Sequence, residues 1–131
     1  MTRFLAAALL IGLPGALLSA PLLPGSVAVA AEPISIRTST AGELADACAT
    51  NPKEAGADAR INFCHGFAQG AITAQLRNTD GKKPFCFPSP APKRTETMNE
   101  FVRWVRADGG RGSLNSADGL FQFLAQRYPC P

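Results

Sequence analysis

The sequence of 131 residues has little of what catalytic or nucleic-acid-binding proteins need, namely histidine, excess charge of one sign and closely spaced metal ligands. It has one histidine, His65, and 13 Lys+Arg against 10 Asp+Glu, so its formal net charge is +3. So small an excess gives no reason to expect nucleic acid or an anionic membrane as a partner. We find no acid–base pair, metal cluster or nucleophile–base spacing, and therefore expect no enzyme activity and no cofactor.

The single histidine is also unsuited to nucleophilic catalysis with a cysteine. His65 directly follows Cys64, so on a helix the two side chains point about 100° apart. A cysteine held in a disulfide cannot act as a nucleophile. We expect His65 to be an ordinary, partly exposed side chain.

A long uninterrupted apolar run is absent too, but the N-terminus has the pattern of a secretory signal. Arg3 supplies a positive charge and Phe4 to Leu18 an apolar region. Three prolines keep this run short of the roughly 20 clean apolar residues that a membrane span needs; they are Pro14, Pro21 and Pro24. Small residues then satisfy the requirement for cleavage after Ala30 or Ala31. We predict a signal peptide over 1–31 and a periplasmic mature protein without a membrane anchor.

Four cysteines lie in the mature part, at Cys48, Cys64, Cys86 and Cys130. Structural zinc sites pair ligands about two to four residues apart, whereas these are separated by 16, 22 and 44 positions. We therefore expect no zinc and predict two disulfides, as in other small exported domains. Of the three possible pairings we favour Cys48–Cys64, which closes a short helical hairpin, and Cys86–Cys130, which joins the segment before the third helix to the end of the fourth.

Capping signals place the first two helices. Thr40 and Glu43 have the spacing of a capping box at the start of the first helix, which stops before Pro52. The second helix is predicted from about Ala59 to Arg77, with Asp58 as its N-cap. This predicted helix contains two glycines, and each lowers its stability by about 1 kcal/mol relative to alanine. We expect close approach of another backbone to offset that cost at both positions, Gly66 and Gly70.

Two more helices complete the predicted fold. The third opens with a capping box over Thr97-Met98-Asn99-Glu100 and stops at the glycine-rich run 108–112. The fourth starts near Asn115 or Ser116 and ends before Pro129. No stretch has the alternation of a strand. The predicted fold class is all-α, a small bundle of about four helices stapled by two disulfides.

Candidate recognition residues lie in two loops and on one helix. The proline-rich segment Lys82 to Lys93 cannot be regular helix; it is interpreted either as a surface loop pinned by a disulfide or as a binding rim that includes Phe85 and Phe87. Trp104 falls at the edge of the third helix's apolar stripe. Aromatic and arginine residues dominate binding hot spots. The candidate partner-binding residues are Phe87, Arg103, Trp104, Arg106 and Arg111, each equally compatible with an ordinary core-edge or surface role.

Five short motifs follow one another in a defined order through the mature chain. They are Thr40-Ala41-Gly42-Glu43-Leu44, Cys64-His65-Gly66-Phe67-Ala68-Gln69-Gly70, Cys86-Phe87-Pro88, Phe101-Val102-Arg103-Trp104-Val105 and Tyr128-Pro129-Cys130. Together they resemble the Rap1a/Tai immunity protein family over a domain of residues 38–130. The resemblance implies a small exported helical protein with disulfides. Characterised members bind and block cell-wall amidase effectors that type VI secretion delivers.

The resemblance supplies a leading function and leaves one alternative. The leading function is a periplasmic protein that binds an amidase effector and inhibits it sterically, without chemistry of its own. The alternative is a small envelope stress or chaperone-like helical protein with no dedicated effector. That class needs a titrating group, and a single histidine gives no obvious switch. The sequence leaves open whether the protein is a monomer or a homodimer. The residues by themselves indicate a non-enzymatic scaffold, and only the family analogy supplies the ligand.

Overall fold

The computed structural model describes residues 35–131, and these contain four α-helices. The helices are α1 (Ala41–Cys48), α2 (Ala57–Arg77), α3 (Arg94–Arg106) and α4 (Ser116–Arg127), with a 3-10 turn over Arg111–Ser113 between α3 and α4. Within the described residues there is no strand beyond one isolated bridge between Thr40 and Asn115. The all-α prediction is therefore confirmed. The predicted signal peptide lies outside the described residues.

The shortest helix, α1, is the one around which the others pack. It contacts α2, α3, α4 and the 3-10 turn. Its capping box forms as predicted, since the Thr40 hydroxyl accepts from the Glu43 N–H at 3.2 Å and the Glu43 carboxylate accepts from the Thr40 N–H at 3.2 Å. Four of its eight residues are buried, and three of those four are alanines. Small side chains let an eight-residue helix approach all of its neighbours closely.

The tightest helix contact joins the starts of α1 and α4. A Cβ atom added to Gly119 would lie 2.7 Å from the Cβ of Ala41, which is too close for real carbon atoms. Backbone hydrogen bonds hold the same place together, because the Ala41 N–H donates to the Leu114 carbonyl at 2.8 Å and the Ser116 N–H to the Ser39 carbonyl at 3.2 Å. Glycine at position 119 is therefore required by the packing.

The prediction for the glycines of α2 is wrong. Gly66 and Gly70 are both exposed, and an added Cβ at either would meet nothing within 4 Å. The close approach that glycine permits is instead at Gly119. Local sequence cannot distinguish these cases, because the deciding neighbour belongs to another helix.

Two helix starts also differ from the prediction. α2 begins at Ala57 after Gly56, whose φ of 74° is left-handed, so Asp58 lies in the first turn and is not the N-cap. α3 begins at Arg94, and the predicted capping residue Thr97 is buried inside the helix. Its hydroxyl donates to the Lys93 carbonyl at 3.3 Å and lies 3.4 Å from the Tyr128 hydroxyl. The Thr97 hydroxyl that the capping pattern assigned to a cap therefore lies inside the fold, next to the residue that ends α4. The predicted start of α4 is confirmed: the helix begins at Ser116, and the Asn115 side chain caps it by accepting from the Ala117 N–H.

The buried core combines side chains from all four α-helices with one from the proline-rich segment. Its largest fully buried members are Phe85, Phe101, Leu44, Leu120 and Leu124. Phe85 is 1% exposed, so it anchors the proline-rich segment to the core and is not available as part of a binding rim. No described helix is long and apolar enough to cross a membrane.

Both disulfides have the favoured pairing. Cys48–Cys64 joins the last residue of α1 to α2, with Cα atoms 5.1 Å apart, and Cys86–Cys130 joins the proline-rich segment to the C-terminus, with Cα atoms 4.8 Å apart. In the loop-entropy account, closures of these lengths contribute about 3 and 4 kcal/mol to the free energy of unfolding. That is a large share of the roughly 5–15 kcal/mol total of a small domain.

The first prediction is that the protein recovered from an oxidising compartment has no free thiol. Alkylation of denatured, unreduced protein should add no label, and peptide mapping should recover the two bridged peptide pairs. After reduction, all four cysteines should be labelled, which is the positive control. Two or more labelled cysteines before reduction would contradict the two-disulfide framework.

The second prediction compares two glycines of different environment. Gly119→Ala should lower the free energy of unfolding by about 1–3 kcal/mol, because overpacking against Ala41 outweighs the roughly 1 kcal/mol that alanine contributes to helix propensity. Gly70→Ala, the matched control, should raise it by up to about 1 kcal/mol. In thermal unfolding each kcal/mol should shift Tm by about 4–8 °C. Stabilisation by both substitutions would show that α1 and α4 are not in close contact.

Candidate functional site

Among the described residues no group of three or more His, Cys, Asp or Glu side chains could hold a metal ion. His65 is half-buried on α2, and its Nδ1 atom is buried without a hydrogen-bond partner in the part of the chain that the structure describes. The neighbouring Cys64 is in a disulfide.

Trp104 lies where α3 meets α4, at the edge of the core as predicted. Its ring centroid is 6.5 Å from that of Phe101 and 6.0 Å from that of Phe123. Its indole N–H donates to the side-chain oxygen of Gln126 at 2.9 Å. One side of the indole thus packs on the core, and its N–H group is hydrogen-bonded to a residue of α4.

Arg111 covers the Trp104 ring. The guanidinium carbon lies 4.4 Å from the ring centroid, and one of its N–H groups donates to the Trp104 carbonyl at 2.8 Å. Asp108 lies 3.8 Å from the same guanidinium. Three contacts therefore hold Arg111 in one position, although it belongs to the connection between α3 and α4.

The connection between α3 and α4 is held by its own hydrogen bonds. The Asp108 carboxylate accepts from the Gly110 N–H at 2.9 Å, and the Asp108 carbonyl accepts from the Arg111 N–H at 3.1 Å. The residues from Ala107 to Gly110 are exposed. This segment presents backbone to solvent in a defined conformation.

Two further arginines extend this region along α3. Arg103 is exposed, and Arg106 is exposed and pairs with Asp46 of α1 at 3.3 Å. We call Arg103, Trp104, Arg106 and Arg111 the arginine–tryptophan surface. The structure thus places four of the five predicted candidates on one end of α3 and on the connection that follows it.

The fifth candidate, Phe87, belongs to a different cluster. Its ring centroid is 5.1 Å from that of Tyr128 and 5.6 Å from that of Phe85. Tyr128 meets α3 at Thr97, about 10 Å along the helix from Trp104 at 1.5 Å per residue. Phe87 is half-buried and lines a groove of its own.

An ion pair lies between these two regions of α3. Arg127 donates to the Glu100 carboxylate at 2.7 and 3.4 Å. This hydrogen bond lowers the pKa of the Glu100 carboxyl below its ordinary value. Glu100 and Arg127 therefore neutralise one another and hold α4 against α3.

Sequence reasoning missed the residues that hold the candidates in place. Gln126, Asp46 and Asp108 each bond to one of them, and only Asp108 is near its partner in the sequence. No local pattern could have identified Gln126 or Asp46, because their roles depend on how α1, α3 and α4 pack.

The family described as Rap1a immunity proteins matches residues 40–130. Comparison with curated proteins and with solved structures gives no significant match. The matched segment contains all four helices, both disulfides and the whole arginine–tryptophan surface. This chain therefore belongs to the Rap1a immunity protein family, whose members bind a protein effector.

Proposed function

We propose that the mature protein is a periplasmic immunity protein that binds a cell-wall amidase effector of a type VI secretion system and inhibits it sterically. The observation that carries this proposal is the family match over residues 40–130. It makes the chain an immunity protein for a secreted effector, and the amidase follows from the family resemblance. Residues 1–31 would direct export and be removed, and the two disulfides suit an oxidising compartment.

The arginine–tryptophan surface is the part of the protein that we assign to the effector. Tryptophan and arginine are the residues that most often dominate binding energy at protein interfaces. Arg111 is already fixed by its contacts with Trp104 and Asp108. Fixing a side chain before binding reduces the ordering cost that association otherwise carries. Trp104 and Arg111 therefore have both the residue types and the fixed side-chain positions that favour binding.

Inhibition would need no chemistry from this chain. A standard interface buries about 800 Å² on each partner, which a domain of this size can supply. The exposed connection from Ala107 to Gly110 adjoins the arginine–tryptophan surface, so it would meet the effector at the same time. An effector covered in this way cannot admit a peptidoglycan strand to its active site.

The third prediction tests inhibition directly. Mature protein purified with its disulfides intact should abolish the activity of its cognate peptidoglycan amidase at a one-to-one molar ratio. The affinity should be about 1 nM or tighter, near −12 kcal/mol, because a lethal enzyme must be held almost fully bound. Alone, the protein should release no product from peptidoglycan. Absence of both inhibition and a complex would contradict the proposal and favour the envelope chaperone alternative.

The fourth prediction separates folding from binding at Trp104. Trp104→Ala should lower the free energy of unfolding by less than the roughly 3–5 kcal/mol of a fully buried aromatic residue, because the ring is only half-buried. Its effector affinity should fall by about 2 kcal/mol, roughly 30-fold. Arg77→Ala, at an exposed site near the end of α2, is the control and should change neither quantity.

Circular dichroism and thermal unfolding show whether Trp104→Ala is folded, and calorimetric titration measures its affinity for the effector. Loss of helical signal in Trp104→Ala would show that the residue is part of the core, and Trp104→Phe, which keeps an aromatic ring, would then test the interface. A folded variant with unchanged affinity would remove Trp104 from the effector surface.

A further inference from the structure

A groove separates α2 from α3, away from the arginine–tryptophan surface. Both helices pack on α1 but scarcely contact one another. The gap between them has a volume of about 250 Å³. We call it the α2–α3 groove; its apolar lining includes Ala68 and Ile72 of α2, Phe87 and Pro92 of the proline-rich segment, and Met98 of α3.

The floor of the α2–α3 groove is part of the core. Ala68 is 2% exposed and Met98 is 3% exposed, whereas Ile72 and Phe87 on the walls are half-buried. Alanine at position 68 leaves unfilled the space that a larger side chain would occupy. The result is a concave apolar surface with a solid floor, the usual form of a small-molecule site.

One charged side chain lines the groove, at its rim. Arg94 donates to the side-chain oxygen of Gln69 at 2.7 Å, which links α3 to α2 across the opening. Over residues 35–131 no carboxylate lies within ion-pair distance of Arg94, and the nearby Glu96 pairs with Lys93 at 3.5 Å. Since a guanidinium has five N–H donors, Arg94 keeps its charge and spare donors for a ligand.

We propose that the α2–α3 groove binds a free aliphatic monocarboxylate, with its tail against Ile72, Phe87 and Met98 and its carboxylate on Arg94. Charge complementarity selects the head group. The volume selects the tail, because 250 Å³ holds about eight heavy atoms at the roughly 30 Å³ of a liquid water molecule. Octanoate therefore fits when its eight carbon atoms occupy the groove and its two carboxylate oxygens lie at the rim on Arg94, whereas a long-chain lipid overfills the groove.

A free acid suits the groove better than an extended peptide. Peptides that bind in extended form gain their affinity from main-chain hydrogen bonds along a strand edge. No strand borders the groove among the described residues, and its rim offers one guanidinium and one side-chain amide. Such a rim can hold a single carboxylate and little else.

The proposed site is independent of effector binding. Arg94 begins α3, whereas Arg106 of the arginine–tryptophan surface ends it, so the two lie about 18 Å apart along the helix axis. The site can be examined without any effector. Failure of amidase inhibition and failure of ligand binding are therefore separate results.

The fifth prediction is that oxidised mature protein binds octanoate in the α2–α3 groove. Titration followed by amide NMR should shift the signals of Ala68, Ile72 and Met98, with a Kd of roughly 1 mM or below, as expected for a ligand of this size. Octanamide, which has the same tail without the charge, should bind about ten-fold more weakly, because a hydrogen bond to a charged group is the stronger kind. Butyrate should bind more weakly than octanoate, and dodecanoate no more tightly.

Two pairs of variants at exposed positions test the site. One pair tests carboxylate binding by Arg94, and the other tests binding of the tail in the groove. Arg94→Gln should lower octanoate affinity about ten-fold and leave octanamide affinity unchanged, while Arg77→Gln on α2 should alter neither. Ala91→Phe places a ring at the mouth of the groove and should abolish binding of both ligands. Ala74→Phe, on α2 outside the lining, is its control. Thermal unfolding of each variant confirms that the fold is kept.

Several results would overturn the proposal. All of them are measured on the unmodified protein, so they do not depend on whether a variant folds. They are equal affinity for octanoate and octanamide, shifted signals confined to residues outside the groove, and affinity that keeps rising through dodecanoate. Tighter binding of a short peptide with an apolar C-terminal residue than of octanoate would also contradict it, since that would identify a peptide site.

Discussion

The close contact between α1 and α4 is the constraint on which the rest of the structure depends. Gly119 leaves room for the Cβ of Ala41, and the backbone bond from Ala41 to Leu114 fixes the same junction. With α4 seated there, α1 is surrounded, and its alanines let α2 and α3 approach from other sides. A helix of eight residues is too short to be stable by itself, so its tertiary contacts, its capping box and its disulfide must hold it in place.

The two disulfides compensate for a thin core in different ways. Cys48–Cys64 ties α2 to α1, and α2 needs this because only three of its 21 residues are buried. Cys86–Cys130 fixes a segment that has no regular secondary structure, helped by Phe85, which lies in the core, and by the hydrogen bond from the Cys86 N–H to the Tyr128 carbonyl at 2.8 Å. Covalent links therefore replace the packing that a larger domain would provide.

The same architecture separates two regions of different chemistry on α3. At its C-terminal end, Arg111 is held over the Trp104 ring, and this is the region that we assign to a protein partner. At its N-terminal end, α3 scarcely contacts α2, and the apolar groove between them is lined by Arg94, which has no ion-pair partner within residues 35–131. The Glu100–Arg127 pair lies between them and keeps α4 on α3. One helix can thus carry the surface that we assign to the effector and, separately, the small-molecule groove that we propose.

The sequence by itself determined the features that depend on neighbouring residues. The cap at Thr40, the cap at Asn115, the four helices and the cysteine pairing all follow from residues close in the chain or from the order of the helices. The tertiary structure decided which glycine lies in a close contact, where α3 begins and which side chains hold Trp104. Gly70 and Gly119 have similar local surroundings, yet only Gly119 faces another helix. Thr97 has the pattern of a cap, yet its side chain is buried and its hydroxyl oxygen lies 3.4 Å from that of Tyr128. A capping bond spans three or four residues and is encoded locally, whereas these contacts join distant residues and exist only once the helices have packed.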